Sequence, residues 1–220
     1  RAVFTNIIAG IEELSKSRVR SIAISASTNP AELNNLLKQQ GIKVVIALGQ
    51  QGWKATAALD KEIAVVVGAV LRMPDSSKKS LMGISMTTDP MQLFIRLHSL
   101  QPSVKRVYVV FSATSNDSLI KIAKEAAKTQ GLELIAQEAN DLASAARLYE
   151  AIFANAVSGR DAVWLPQDST TVDDEIILPL VLQQSWNRAI PIFSSNLSHV
   201  RKGALFALYP NNFELGKALA

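Results

Sequence analysis

The sequence of 220 residues contains no cysteine, which excludes disulfide bonds, thiol catalysis and thiolate metal sites. No apolar run approaches the roughly 20 residues that a helix needs to span a bilayer. Only two histidines occur, and neither has a partner at ligand spacing. His98 is expected in the middle of a helix and His199 in a short surface turn. Because a zinc site needs three or four convergent ligands, we expect no metal site.

Short catalytic and nucleotide-binding motifs are missing as well. Neither G-x-G-x-x-G nor G-x-x-x-x-G-K-[ST] occurs, which argues against a dinucleotide site and against a P-loop. The stretch from Gly83 to Thr87 lacks the second glycine of the G-x-S-x-G elbow that presents a serine nucleophile. We therefore expect neither catalytic residues nor a cofactor.

The positive net charge is not concentrated in one segment. The formal net charge is +4, and adjacent basic residues occur only at positions 78–79, 105–106 and 201–202. No basic stripe or aromatic stacking platform accompanies them, so we interpret them as solvated surface and expect no nucleic-acid partner. With 48% hydrophobic and 19% charged residues, the composition indicates a globular protein long enough to bury a core.

The sequence does contain a regular alternation of apolar runs with segments of helical periodicity. Strands are predicted at residues 21–25, 43–48, 63–70, 107–111, 132–137, 162–165, 190–193 and 204–208. Helices are predicted at residues 1–16, 53–59, 118–130 and 141–157 and from residue 211 onwards, and a looser segment is predicted at 71–81. Strands separated by helices favour a parallel α/β architecture.

Prolines mark further helix boundaries. The pair Asn29-Pro30 starts one predicted helix with a capping residue and a proline, and Thr88 or Asp89 caps another that begins at Pro90. Pro179 falls inside a helical pattern, where we expect it to kink the helix or split it.

Polar residues follow several predicted strands, at the end where open α/β sheets bind ligands. The turn at 49–52 precedes a helix and has backbone N–H groups suited to a carboxylate, although an ordinary strand-to-helix turn explains its glycines equally well. A polar turn is predicted at 112–117, and its hydroxyl groups suit either a helix cap or a ligand clamp. The candidate ligand-binding residues are Gln50, Gln51, Trp53, Met86, Ser112, Thr114, Ser115, Asn116, Asp168, Ser169, Ser194 and Ser195.

Asp168 is the most specific of these candidates. It follows a hydrophobic strand, so its carboxylate is placed to pair with a ligand ammonium or hydroxyl group, or else to cap the next helix. Among the tryptophans, Trp164 and Trp186 are expected in the core, and Trp53, one turn from the glycines, is the best pocket candidate.

Residues 161–220 carry a series of short motifs in a specific order. They are Asp161-Ala162, Pro166, Asp168, Thr170, Ile190-Pro191-Ile192-Phe193, Gly203-Ala204-Leu205 and Glu214-Leu215-Gly216. In this order and spacing the sequence resembles the family of ABC transporter substrate-binding proteins, some of whose members bind aromatic amino acids. The resemblance covers nearly the whole chain and is stronger after residue 82.

The resemblance implies a type I periplasmic-binding fold with two Rossmann-like lobes that contain parallel sheets. One lobe would hold residues 1–86 and 210–220, and the other residues 87–209. A small polar or zwitterionic solute, such as an amino acid, would bind in the cleft between lobes that close by hinges at 85–89 and 208–210. The resemblance also implies a monomer without enzymatic activity. It would deliver its solute to the permease subunits of an importer. It would be periplasmic or membrane-anchored outside the cytoplasm, its signal segment not present in this chain.

Two departures from the family pattern limit these expectations. Family members carry a strand before the helix at 1–16 and further structure after Glu214-Leu215-Gly216, so we expect the chain to be a fragment. The segment 50–52 replaces a turn that is usually richer in Ala, Thr and Pro. The preference of some family members for aromatic amino acids is therefore not carried over, and the identity of the solute is left undetermined. A ligand-sensing regulatory domain of the same fold and a two-lobed enzyme such as a glycosyltransferase remain as alternatives.

Overall fold

The computed structural model describes residues 2–16, 18–56, 59–71 and 82–220. The helices of this part are α1 (Ala2–Leu14), α2 (Pro30–Gln39), α3 (Gly49–Thr56), α4 (Pro90–Leu100), α5 (Ala113–Thr129), α6 (Leu142–Asn155), α7 (Ile177–Arg188), α8 (Leu197–Lys202) and α9 (Asn212–Leu219). The strands are β1 (Val44–Leu48), β2 (Ala64–Val70), β3 (Met82–Ser85), β4 (Arg106–Phe111), β5 (Glu133–Glu138), β6 (Asp161–Leu165), β7 (Ile192–Ser194) and β8 (Phe206–Ala207). None of the described helices is both long and apolar enough to cross a membrane.

The chain divides into two compact units. Unit 1 comprises Arg1–Thr87 and Pro210–Ala220, and unit 2 comprises Thr88–Tyr209. Each unit has its own parallel sheet, three strands in the order β1-β2-β3 and five strands in the order β5-β4-β6-β7-β8. The predicted α/β class is confirmed, and so is the separation of β1 from β4, β6 and β7 into two sheets.

In unit 1, helices α1 and α9 approach each other closely at two glycines. A Cβ atom added to Gly10 would lie 2.0 Å from the carbonyl oxygen of Phe213, and one added to Gly216 would lie 2.0 Å from that of Ile7. The absence of side chains at both positions therefore lets the two backbones touch. Ile7 and Leu215 are buried beside this crossing.

In unit 2, the strand β4 alternates between two hydrophobic cores because successive side chains point to opposite faces. Val107 and Val109 pack with α4 and α5, whereas Tyr108 and Val110 pack with α6 and α7. All five residues of β6 are buried, as expected for a central parallel strand that is covered on both faces.

A buried ion pair holds the amino-terminal ends of β4 and β6 together. The guanidinium of Arg106 donates two hydrogen bonds to the carboxylate of Asp161, at 2.7 and 2.6 Å, and the backbone N–H of Val157 donates a third at 2.8 Å. Burial raises the pKa of Asp161, but these donors outweigh it and hold the pKa below its ordinary value. The first residue of the Asp161-Ala162 motif is therefore structural.

The predicted caps are largely confirmed. Asn29 and Asp89 accept hydrogen bonds from the first turns of α2 and α4, each with proline next in sequence, and Asn211 caps α9. Thr88 does not cap α4, because its hydroxyl donates to the carbonyl of Leu208 instead.

Several sequence predictions were wrong. Residues 21–25 form no strand. Helices α3 and α5 begin directly at Gly49 and Ala113, so the polar segments read as turns are their first turns. Pro179 does not split α7, since it is the third residue of the helix, where its missing N–H would have no partner inside the helix. The looser segment at 71–81 lies outside the described residues, apart from Leu71.

Candidate functional site

In the sheet of unit 2, the direction in which the chain adds successive strands reverses between β4 and β6. We call this place the switch point. From β4 the chain runs through α5 to β5 on one side, and from β5 through α6 to β6 on the other. Helices α5 and α6 consequently cover opposite faces of the sheet, and they diverge at the carboxyl ends of β4 and β6. This is where open α/β sheets bind ligands.

Asp168 lies at this switch point and is 6% exposed. Its Oδ2 atom accepts hydrogen bonds from the backbone N–H of Ser112 at 2.7 Å and from Nδ2 of Asn116 at 3.0 Å. Its Oδ1 atom accepts one from the backbone N–H of Thr170 at 3.0 Å. The carboxylate thus joins the loop after β6 to the start of α5.

Helix α5 supplies four predicted site residues at this edge. Ser112 occupies the cap position, but its side chain makes no capping bond. Its backbone N–H donates to the Asp168 carboxylate. Asn116 is buried, whereas Thr114 is exposed and Ser115 is half-buried. A carboxylate at a helix N-terminus is favourable because the helix dipole is positive there.

A buried tyrosine lies close to the same carboxylate. Tyr149 of α6 is fully buried, and its hydroxyl has no hydrogen-bond partner among the described residues. Burial raises the pKa of Tyr149, and the negative charge of Asp168 raises it further. Sequence reasoning missed Tyr149, because nothing in the helical pattern distinguishes this position from other core positions.

The carboxyl edge of the unit 2 sheet is acidic. The loops and helix starts that follow its strands, at 112–117, 138–141, 166–173 and 194–196, contain no lysine or arginine. They contain Glu138, Asp141, Asp168 and Asp173, and also Asp117, whose carboxylate is paired with Lys121 one turn along α5. A field of this sign attracts cationic groups and repels anionic ones.

Ser194 and Ser195, at the end of β7, point into different surroundings. Ser195 accepts a hydrogen bond from the indole N–H of Trp164 at 3.1 Å. Ser194 is fully buried and its hydroxyl lies 2.8 Å from Nδ1 of His199. Ser169, the remaining candidate of this unit, is exposed beside Asp168.

His199 was expected in a surface turn, but the structure buries it in α8. Its Nε2 atom lies 3.0 Å from Oδ1 of Asp174, whose other oxygen accepts from Lys202 at 2.9 Å, and the amide of Asn196 lies 3.3 Å from the same Nε2. Burial lowers the pKa of His199 below its ordinary 6.5, and the opposing effect of Asp174 is smaller. The neutral imidazole is therefore the form that the fold favours.

This burial predicts a pH dependence of stability. Because the pKa of His199 is lower in the folded than in the unfolded chain, the unfolded chain binds the proton more readily between the two values. We expect the free energy of unfolding of unit 2 to fall as the pH drops below about 6.5. Urea unfolding of His199→Gln between pH 7.5 and 5.5 should show a weaker decline, whereas the exposed His98→Gln should keep the parent slope. Equal slopes of the unfolding free energy against pH in the parent and both variants would contradict the role of His199 in this pH dependence.

Unit 1 carries the other four candidates. Gln50 and Gln51 are exposed on the first turn of α3, and Trp53 is half-buried on the same helix. Met86 is half-buried and packs against the apolar cluster around Ile7. The structure thus brings Ser112, Asn116 and Asp168 into direct contact in unit 2, and it groups Gln50, Gln51 and Trp53 on one helix in unit 1.

The tryptophans differ from one another in burial. Trp164 is fully buried, as predicted, and packs edge-on against Phe94 with ring centroids 6.0 Å apart. Trp186 was expected in the core, but 75% of it is exposed. No group of three or more potential metal ligands occurs within the described residues.

Comparison with known proteins identifies the family of the chain. The sequence model of the family described as "ABC transporter substrate binding protein" matches residues 8–220. No curated protein matches the chain.

Solved structures share the fold at low sequence identity. A substrate binding protein with adhesive properties from Clostridium difficile, in a ligand-free, open form, has a TM-score of 0.65 at 16% identity. An ABC domain from Streptococcus pneumonia in complex with L-Trp and a conserved domain protein from Vibrio cholerae each have a TM-score of 0.59 at 19% identity. The alignments cover 99%, 99% and 100% of this chain and 77% of each of the other three chains. The chain belongs to the family of ABC transporter substrate-binding proteins, because that family's model matches it almost from end to end.

Proposed function

We propose that this protein is the extracytoplasmic solute receptor of an ABC importer, that it binds a small zwitterionic solute such as an amino acid, and that it delivers the solute unchanged to permease subunits. The family match over residues 8–220 is the observation that supports the receptor role.

Asp168 is the residue to which we assign the solute's ammonium group. A carboxylate has about four acceptor positions, and the described residues fill three of them. The remaining position is on Oδ1, at the switch point where ligands of open α/β sheets bind. The three internal bonds hold the carboxylate in place, so little side-chain freedom is lost when a ligand donor binds.

The acidic carboxyl edge of unit 2 supports the same class of solute. The loops of this edge contain no lysine or arginine, and Lys121 of α5 is paired with Asp117, so these segments offer no free side-chain cation to a phosphate, a sulfate or a dicarboxylate. An ammonium group near Asp168 is favoured, and the single carboxylate of an amino acid can be received by backbone N–H groups at a helix N-terminus. The related streptococcal domain holds L-Trp, which is an amino acid of this charge type.

The binding role of Asp168 can be tested by calorimetry after a thermal-shift screen of amino acids, sugars and nucleosides. A ligand that binds only the folded state raises the melting temperature, and we expect an amino acid to do so. For that ligand, Asp168→Ala should weaken binding by about 1.5–3 kcal/mol, the usual contribution of a charged hydrogen bond. The same substitution should lower stability, because it leaves the buried N–H of Ser112 without its acceptor.

Asp141→Ala is the matched control for this experiment. Asp141 also follows a strand of the same sheet, but it caps α6 through Ser144 and lies outside the switch point. It should lose about 1 kcal/mol of stability, as helix caps do, and bind the ligand with unchanged affinity. Equal affinities for the two folded variants would contradict the role of Asp168, and recovery of a chemically altered ligand would contradict the receptor role.

A further inference from the structure

A groove of about 440 Å³ lies at the amino-terminal edge of the unit 2 sheet, opposite the carboxyl edge described above. Its apolar lining includes Trp186 of α7, Ile190 and Pro191 before β7, and Leu205 before β8. Trp186 is 75% exposed and Leu205 is 42% exposed. Such exposure of large apolar side chains side by side marks an interaction surface.

The indole of Trp186 packs against Gly203 along one edge. A Cβ atom added to Gly203 would lie 3.2 Å from its Nε1 atom and 3.3 Å from Cδ2 of Leu182, so the ring packs against a position without a side chain. The serine hydroxyls that line the groove are used internally. Ser185 donates to the carbonyl of Ile190 at 2.6 Å, and Ser158 donates to that of Ala189 at 3.1 Å. The floor is thus better suited to an apolar occupant than to a polar solute.

Exposed cations adjoin the groove. Three arginines lie within two positions of a residue that lines the groove. They are Arg160 after Gly159, Arg188 before Ala189 and Arg201 two positions before Gly203. Within the described part of the chain, none of these three arginines forms an ion pair. Lys202 also lies next to Gly203 but is paired with Asp174.

Acidic side chains are scarce at the same place. The single Asp or Glu within two positions of any lining residue is Asp161, and its carboxylate is fully buried against Arg106. The groove therefore combines an exposed indole with a rim of net positive charge, because Asp161 interacts with Arg160 but is already paired with Arg106, and Asp174 is paired with Lys202. The opposite edge of the sheet is acidic by contrast.

We propose that this face of unit 2 docks on an anionic phospholipid surface, with Trp186 entering the interface and Arg160, Arg188 and Arg201 contacting lipid phosphates. Tryptophan favours the membrane–water interface because its ring is apolar and its N–H is polar. Each basic residue near an anionic bilayer contributes favourable electrostatic energy that is screened by salt. A docking partner with an uncharged surface would provide no negative charge to pair with these three arginines. The proposal does not depend on which solute the other edge binds.

Vesicle co-sedimentation tests this proposal with the whole chain. We expect binding to vesicles of phosphatidylcholine with 30 mol% phosphatidylglycerol, weak binding to pure phosphatidylcholine, and loss of binding at high salt. Arg188→Glu and Arg201→Glu should each lower the partition coefficient about fivefold or more, the factor expected for one cation at such a surface. Lys124→Glu makes the same charge change on exposed α5, away from the groove, and should have a much smaller effect.

A second measurement reports on Trp186 itself. Brominated acyl chains should quench the fluorescence of the bound protein, and Trp186→Phe should lose most of this quenching while Trp164 stays buried and protected. Equal losses of binding for Arg201→Glu and Lys124→Glu would overturn the proposal, because they would show a nonspecific effect of net charge. Failure to bind anionic vesicles at low salt would also overturn it and would leave an acidic protein segment as the occupant of the groove.

Discussion

Replacement of Gly10 by alanine is expected to destabilise unit 1 by about 3 kcal/mol, the upper end of the usual cost of overpacking. The new methyl group would lie 2.0 Å from the carbonyl oxygen of Phe213 and 3.0 Å from the backbone nitrogen of Lys217. Both contacts are with backbone atoms, so the clash cannot be relieved by turning a side chain. Helices α1 and α9 would have to separate, exposing Ile7 and Leu215. The midpoint of denaturant unfolding measures the loss.

Gly52→Ala is the matched control, because it also places a methyl group on a helix. At Gly52 the nearest atom outside the helix would be the carbonyl carbon of Ala47 at 3.5 Å, an ordinary contact. Alanine has a higher helix propensity than glycine by about 1 kcal/mol, so this variant should be slightly more stable than the parent. Gly216→Ala should behave like Gly10→Ala, since its methyl would lie 2.0 Å from the carbonyl of Ile7. A Gly10→Ala variant as stable as Gly52→Ala would show that the helices do not touch at this glycine.

Removal of the Asp161 carboxylate is expected to have a similarly large effect on unit 2. Asp161→Ala should cost about 3 kcal/mol, the lower end of the range for breaking a buried ion pair. The lower end applies because the partner, Arg106, keeps 23% of its side chain exposed and can turn towards water. The backbone N–H of Val157 also loses its acceptor. Denaturant unfolding followed by circular dichroism gives the change in free energy.

The opposite substitution provides a sharper test of the same pair. Arg106→Met leaves the fully buried carboxylate of Asp161 with the Val157 N–H as its remaining described donor, so it should destabilise more than Asp161→Ala. Asp117→Ala is the control, because it breaks an exposed pair with Lys121 on α5, and pairs of that kind contribute little. A loss for Asp161→Ala no larger than that for Asp117→Ala would be inconsistent with a buried, hydrogen-bonded pair.

Much of the fold could be predicted because its signals are local. The caps at Asn29 and Asp89 act within two residues of their own positions, and the apolar run of β6 reflects a strand covered on both faces. Two of the errors were also local in origin. The polar runs at 49–52 and 112–117 resemble turns in composition, yet α3 and α5 begin immediately after their strands.

The candidate site was less accessible to sequence reasoning. Asp168 could be placed at a strand end, but its hydrogen bonds reach Ser112 and Asn116, which are 56 and 52 positions away in the chain. His199 and Trp186 were assigned to the wrong environments, one buried and the other exposed. Their burial depends on which elements pack over them, and this cannot be derived from the residue spacing or the composition of the sequence.

The sequence by itself determined the alternation of strands and helices, the helix starts at Asn29 and Asp89, the α/β class and the family resemblance, because periodicity and capping act within a few residues. The tertiary structure decided the strand order, and with it the position of the switch point at Asp168. It also decided the close approach of α1 and α9 at Gly10 and the pairing of Asp161 with Arg106, which are 55 positions apart. Contacts between distant residues depend on strand order and helix crossing, and these are set by the packing of the whole unit.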